Sequence, residues 1–511
     1  MFAKRYNADE LIDIIAAPAY SPELIEYVKK VANAPYLSQF LSQKPKLGIT
    51  GTIAKDYVSA DTKDAVPYVS TKQVKGLHAY MDDAKYISKE ADIEWAKCRV
   101  EDGDIIINKS GNVGAAAVLC CAPYKYVNSV SDIINIKLDK TASIDRDFLV
   151  VYLNSPYGQK QLQRLSGGAI FSHVSLHAIP DIRVYHPDIK AQKYIADKVR
   201  QAEQLRTWAK RCREKIQYYF NDLFSGISLD KPEHLHTRVS LDILVPRLNA
   251  EFYSDYYMQV EKGLIDRFGK LTTLGRLAPT IRTKTKPSTD CVYKEIGDLD
   301  AGKGAFDSGT FHKFGEAPNN AQRIFDEGDV AVSTRRPNRG AIAVIEESSS
   351  TTFYSVFLAR LKPKDRNFGY WLKEFLRHDA GKLLLLQRCT WTTYPVISED
   401  DIESIPVPEI PDHWDFIARL SRKSVKLEAV ATDLITTTKI LVETLIEGQL
   451  TEQQLIEAQQ ALEDGDNSLD QAILSKLSAE GYAIEGATPL FSDVDELYSL
   501  LEEAAQAEAE E

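Results

Sequence analysis

"GDIIINKSGNVGAAAV", residues 103–118, and "GDVAVSTRRPNRGAIAV", residues 328–344, share one plan. Each opens on Gly-Asp, runs through apolar residues, breaks into a polar insert, then restarts at Gly-Ala with a second apolar run. Short apolar runs bounded by glycine read as buried strands, so each stretch predicts a strand, a loop and a second strand. Gly103-Asp104 answers Gly328-Asp329 at an offset of 225, and Gly114-Ala115 answers Gly340-Ala341 at 226. Working outward, "NSVSDIINIKL" from Asn128 answers "YSVFLARLKP" from Tyr354, and "LGITG" at Leu47 answers "LGRLA" at Leu274. "RYNAD" at Arg5 answers "RLNAE" at Arg247, and "IPDIRVYHP" around Ile182 answers "IESIPVPEIP" around Ile405. Landmarks in one order, near one offset, define a tandem duplication of about 225 residues followed by a C-terminal extension.

Each copy opens with a partly helical lead and continues through short β-like runs. A helical pattern follows, "RDFLVVYLNSPYGQKQLQRL" from Arg146 or "FGYWLKEFLRHDAGKLLLLQR" from Phe368, and a proline-rich exit closes the copy. Beyond each exit the apolar period becomes helical. One stripe runs from Ile189 and Ile195 through Val199, Ala202 and Leu205 to Phe220; the other runs from Phe416 and Leu420 through Leu427 and Leu434 to Leu445. A helix of about 36 residues spans roughly 54 Å. A small domain cannot bury so long a stripe, so the two helices are expected to pair as an antiparallel coiled coil. Packing of each helix on its own domain is the alternative.

The expected fold class is α+β: two tandem β-rich domains, each followed by a long helix, and a small helical acidic extension. The expected boundaries are 1–186 for the first domain, 187–242 for the first helix and connector, and 243–410 for the second domain. The second helix takes 411–447 and the extension 448–511.

The net charge of −12 hides an asymmetry. Residues 443–511 hold 18 Asp and Glu against one Lys, or −17, which leaves +5 on the rest of the chain. The first twenty residues lack an apolar core, and no run reaches about 18 apolar residues, so neither a signal peptide nor a membrane span is expected. The six cysteines show no CxxC spacing and read as reduced and mostly buried in a cytoplasmic protein. His234 and His236 form an isolated H-x-H, short of the roughly four ligands of structural zinc.

The duplicated plan resembles the specificity subunit of type I restriction-modification systems. The resemblance spans about residues 1–447 and rests on "RYNAD"/"RLNAE", the Gly-Asp…Gly core, "LSGGAIFSHVSLHAIPDIRV", and Lys190-Ala191-Gln192…Ile195 opening the first helix. The second copy departs from it, with Asp412-His413-Trp414…Ile417 at the helix start, and the extension lies outside the pattern. The resemblance implies two target-recognition domains that each read half of a split double-stranded DNA site, with the helices setting the gap. It also implies a subunit that is not itself an enzyme. Methyltransferase subunits would dock on it and bind S-adenosylmethionine, translocase-nuclease subunits would be able to join, and no membrane is involved. The chain would hold no cofactor and no metal.

Reading DNA takes cations for phosphates and amide or guanidinium groups for base edges. The second insert offers Arg335, Arg336, Asn338 and Arg339, and the first offers Lys109, Ser110 and Asn112. A plain solvated loop is the competing reading for both. "YVSTKQVKG" adds Lys72, Gln73 and Lys75. "TIRTKTKPS" adds Arg282, Lys284 and Lys286, which would share one face if the segment is a strand. "SGGAIFSH" and "RCTWTTY" place Phe171, His173, Trp391 and Tyr394 in turn-like loops, as base-stacking groups or as packing beneath the loop.

Enzyme signatures are weak. There is no Walker loop, and no motif or cofactor loop of a DNA methyltransferase. Asp104 and Asp329 lack the E-x-K partner of a nuclease strand. The extension reads as three helices, either a plain acidic appendage losing order after Glu502, a docking arm for a basic partner, or a DNA mimic. Two further function classes stay open: a DNA-recognition adaptor of another phage-defence complex that recruits an effector through the extension, and a nuclease with a cryptic site.

Overall fold

The computed structural model describes residues 17–51, 53–167, 173–231, 238–240, 249–307, 309–391 and 393–509. The chain divides into two compact units, Met1–Gln204 with Val430–Glu511, and Leu205–Ala429. The division cuts through both long helices.

In the first unit, one sheet pairs Val66–Val69 in parallel with Tyr126–Ser129. Lys85–Ile87 and Arg99–Glu101 flank that pair, and Tyr57–Val58 covers the outer edge of Lys85–Ile87. A second sheet centres Ile105–Asn108 between Ile133–Ile136 and Ala116–Cys120. The second unit repeats this order. Cys291–Lys294 pairs in parallel with Thr352–Ser355, flanked by Thr310–His312 and Ala321–Arg323. Val330–Ser333 lies between Leu358–Leu361 and Ile342–Val344. Even the register follows the sequence offset: Ile107 faces Ile134, and Val332 faces Ala359. The central strands are buried on both faces, which is why they read as unbroken apolar runs instead of alternating ones.

The Gly-Asp that opens each core is a turn device. Gly103 and Gly328 sit at φ +83° and +84°, a conformation open to glycine. Asp104 then accepts a hydrogen bond from the Glu101 N–H at 3.0 Å, and Asp329 accepts one from the Asp326 N–H at 2.8 Å. Burial pushes both carboxyls upward. Asn135 and Arg360 supply the remaining donors.

The helical pattern of each copy resolves into two helices. Arg146–Asn154 is followed by Pro156–Arg164, and Arg366–Arg377 by Asp379–Gln387. Gly158 and Gly381 allow the tight joint: a Cβ there would lie 2.4 Å from the Tyr152 carbonyl oxygen and 2.1 Å from that of Phe375.

The long helices run Ile189–Leu223 and Trp414–Glu447. Most of their predicted stripe residues are buried, but Ile189 and Phe416 are exposed. In the second unit Lys423 lies 3.8 Å above the Trp208 ring, Arg213 pairs with Glu428 at 2.9 Å, and Tyr219 stands 5.5 Å from His413.

The extension contains helices Glu452–Glu463, Ser468–Leu474 and Val494–Ala509, so helix continues past Glu502, where a loss of order was one expectation. It seats on the start of the first long helix. Lys193 pairs with Glu463 at 2.5 Å, and Lys190 reaches Gln460 at 2.6 Å. Asp470, fully buried, takes the Lys198 ammonium and the Tyr194 hydroxyl at 2.5 Å each.

The described cysteines are all free; Cys120 is half-buried and the other five are buried. No helix among the described residues is long and apolar enough to cross a membrane. No group of three or more metal-ligating side chains occurs among the described residues. His234 and His236 lie outside them.

Candidate nucleic-acid interface

The polar insert of the second unit folds onto the closing loop of the same unit. Thr390–Trp391 and Pro395–Val396 form a short hairpin. The Arg336 N–H donates to the Pro395 carbonyl at 2.9 Å, the Ile397 N–H donates to Thr334 at 3.1 Å, and Arg335 bridges to Val396. Arg336 occupies the left-handed region at φ 49°, Pro337–Arg339 make one 3-10 turn, and Gly340 closes the loop at φ 76°. The Arg335 guanidinium lies 4.7 Å above Phe357, and that of Arg336 lies 5.1 Å above Tyr394. Cation–π seating of this kind holds the guanidinium planes while leaving their N–H edges free to bond. Trp391 is 44% exposed, and Arg336 and Arg339 are exposed. Asn338 carries a buried Oδ1 with no partner in the structure. Two stretches some fifty residues apart therefore form one surface of cations, an amide and aromatic rings.

The first unit is built the same way with less charge. Its closing hairpin is Ser166–Gly167 with His173–Val174. The Val174 N–H donates to the Lys109 carbonyl at 3.2 Å. Asp132 fixes the loop from below, accepting from the Lys109 N–H at 2.8 Å and from the Ser110 hydroxyl at 2.7 Å. Asn112 and His173 are exposed and Lys109 is half-buried.

Residues 50–217 match the family model described as the type I restriction modification DNA specificity domain. That match spans 168 of the 511 residues and lies in the first copy of the repeat and the start of the first long helix. Three solved structures are similar to it. The S subunit of a type I restriction-modification system from M. genitalium is 14% identical, covers 83% of this chain and 95% of its own, and has a TM-score of 0.39. A chain from work on complex assembly and conformational transition of the type I R-M system is 15% identical, with coverage of 83% and 99% and a TM-score of 0.28. The HsdS subunit from Thermoanaerobacter tengcongensis is 15% identical, with coverage of 80% and 98% and a TM-score of 0.25. No curated protein matches the chain.

Several residues in the two units stand differently from their sequence expectation. Gln73 is buried and closes the 3-10 turn Thr71–Gln73. Its Oε1 accepts from the Ser70 N–H at 3.0 Å, and its amide donates to the Asp83 carbonyl at 3.3 Å, so it is not presented to a base edge. Lys72 is exposed, and Lys75 lies 3.8 Å from exposed Asp83. The Ser110 hydroxyl is spent on Asp132.

The segment carrying Arg282, Lys284 and Lys286 is not a strand; the Ile281 and Thr285 N–H groups donate to Arg360 and Gln322, and the Arg323 guanidinium donates to the Ile281 and Thr283 carbonyls. Arg282 bonds Asp400, with Glu399 and Glu403 within 3.8 Å, while Lys284 and Lys286 are exposed. Phe171 lies outside the described residues. Phe357, the ring beneath Arg335, escaped the sequence reading. Its only signal is its position directly after the repeated Ser355-Val356 landmark.

Proposed function

We propose that the chain is the DNA-recognition subunit of a type I modification complex, with one recognition domain in each unit. The observation that carries this reading is the repetition of a single construction. In both units the insert after the central strand docks on the closing hairpin, and residue types suited to phosphate and base contact gather there. Two such surfaces on one chain suit a split site read as two halves. The helix contacts of the second unit favour antiparallel pairing as the spacer: from Trp208 to Tyr219 the partners fall from Lys423 to His413. The chain itself does no chemistry in this reading. Methyltransferase subunits docked on it bring S-adenosylmethionine, and a translocase-nuclease subunit adds restriction where one is present.

Base-modification mapping of the host genome with and without the gene tests the proposal. Loss of methylation at one split motif, two short half-sites around a fixed gap, is the expected result. An unchanged methylome refutes it and leaves the adaptor reading, in which a different effector is recruited.

A further inference from the structure

The joint between the paired helices differs in charge between the two copies. At the offset of 223 set by Gly158 and Gly381, Val151, Asn154, Ser155 and Gln159 answer Glu374, Arg377, His378 and Lys382; in the inserts Val113 answers Arg339. Five uncharged positions of the first unit are thus ionisable in the second. In the first unit the polar side chains close on the neighbouring backbone: the Asn154 amide donates to the Ala116 carbonyl at 2.7 Å, and the Gln159 amide to the Gly114 carbonyl of the insert at 2.9 Å. In the second, Lys382 turns to Asp379 at 2.9 Å. Arg377 is spent on Glu374 at 3.1 Å and on the carbonyls of Ala301 and Gly302 at 2.6 and 2.7 Å. A cavity of about 460 Å³ stands between this joint, the insert at Arg339 and the first long helix at Lys210 and Arg213. All of its lining lies within the second unit.

We infer that this cavity seats a phosphate of the DNA backbone at the edge of the half-site read by the second unit, a contact without a counterpart in the first. The inference rests on the reading above for the identity of the ligand as DNA. Three observations select a phosphate. Of the acids in the wall, Glu374 is taken by Lys373 and Arg377, and Asp379 by Lys382, which leaves Glu214 against Lys210, Arg213 and Arg339. Arg213 spends one terminal nitrogen on Glu428 at 2.9 Å, and its Nη1 is buried with no partner in the structure. A donor in that state lacks the acceptor that an oxyanion supplies. Phe220, the one phenyl ring of the wall, is 1% exposed, so a base finds no ring to stack on and the cavity suits a bare phosphate. Arg339 stands in the same 3-10 turn as Asn338, which brings the backbone of a strand read by the insert to the mouth of the cavity. The first long helix forms the opposite wall, so the seated phosphate lies where the half-site gives way to the gap.

Phosphate-ethylation interference with the full-length chain, on a duplex carrying the split motif, tests the inference. The half-site of the second unit is the one whose base preference Asn338→Ala relaxes. Expected is interference at a gap-edge phosphate of that half-site, with none at the matching phosphate of the other. Lys382→Glu sets a carboxylate in the cavity. It should abolish that interference and flatten the slope of log affinity against log salt by about 0.9, the share of one phosphate. The urea midpoint should hold, because Lys382 and Asp379 form a surface pair with 35% and 72% exposed partners. Lys382→Gln, which introduces no new charge, should flatten the slope in the same direction. An unchanged slope in both variants, or equal interference at the two half-sites, overturns the cavity as a phosphate seat. ATP binding to the free chain that Lys382→Glu abolishes, with the DNA slope unmoved, gives the cavity to a free nucleotide and overturns the assignment to DNA. A chain that binds no duplex at all removes the recognition reading itself, so the two failures are distinct.

Discussion

Asp470→Ala tests whether the acidic extension is an integral part of the first unit. The carboxylate is 0% exposed and the Lys198 ammonium 1%, so solvent does not soften the exchange. Alanine leaves the ammonium buried and unpaired, and it removes the acceptor of both the Tyr194 and Tyr498 hydroxyls. Breaking one side of a buried pair costs about 3–5 kcal/mol. At about 1.4 kcal/mol per decade, the lower figure is a factor of roughly 150 in the local opening equilibrium. Native-state hydrogen exchange over residues 189–199 and 468–474, together with urea unfolding of the full chain, reads that factor. Glu463→Ala is the matched control. Its bond to Lys193 is a surface pair with 36% and 45% exposed partners, and pairs of that kind contribute about 0–1 kcal/mol. Lys198→Leu combined with Asp470→Ala removes both charges and should restore much of the lost protection. The reasoning is refuted if Asp470→Ala costs no more than Glu463→Ala, or if the double variant is as unprotected as the single one.

Four further outcomes are expected. Replacing Arg335, Arg336 and Arg339 together with Ala should flatten the slope of log affinity against log salt by about 2.7, since each neutralised phosphate contributes about 0.9. Asn338→Ala should instead relax base preference at one position with the slope intact, and a changed slope would place Asn338 on the backbone. Burial alone would raise the Asp147 carboxyl, yet the His78 hydrogen bond at 2.9 Å and the Arg146 and Arg200 charges hold it below the usual range. A depressed acid stabilises the fold above its unfolded value of about 4 and loses that contribution as pH falls through the folded one. His78→Ala should therefore move acid unfolding, followed by tryptophan fluorescence, to higher pH; an unmoved midpoint would assign the depression to the arginines. Gly158→Ala and Gly381→Ala set a Cβ 2.4 Å and 2.1 Å from backbone oxygens and should each cost about 1–3 kcal/mol in thermal or urea melts. A cost near zero would mean that the joint between the paired helices is free to open.

The duplication, the strand-loop-strand cores and the two long helices were legible because each writes a local pattern. A fully buried strand shows as a continuous apolar run, a helix as a period of 3.6, and a turn as glycine at a fixed place. The Gly-Asp pairs show the limit of that reading. Their repetition marked them as structural, but only the packed turn shows each aspartate capping a backbone N–H three residues earlier.

Site residues were harder because their role depends on partners distant in the chain. Gln73 and Arg282 have the right chemistry for DNA, yet one is consumed by Ser70 and Asp83 and the other pairs with the short acidic helix Glu399–Glu403, more than a hundred residues away. Composition cannot show which polar groups the fold has already satisfied. What the sequence alone determined is the repeat, its order of elements and the residue types in each insert, since these follow from spacing and local propensity. What only the tertiary structure decided is which inserts meet which hairpins, which cations stay exposed, and that an acidic extension is held by one buried carboxylate. Those outcomes arise from long-range packing and desolvation, which no local pattern encodes.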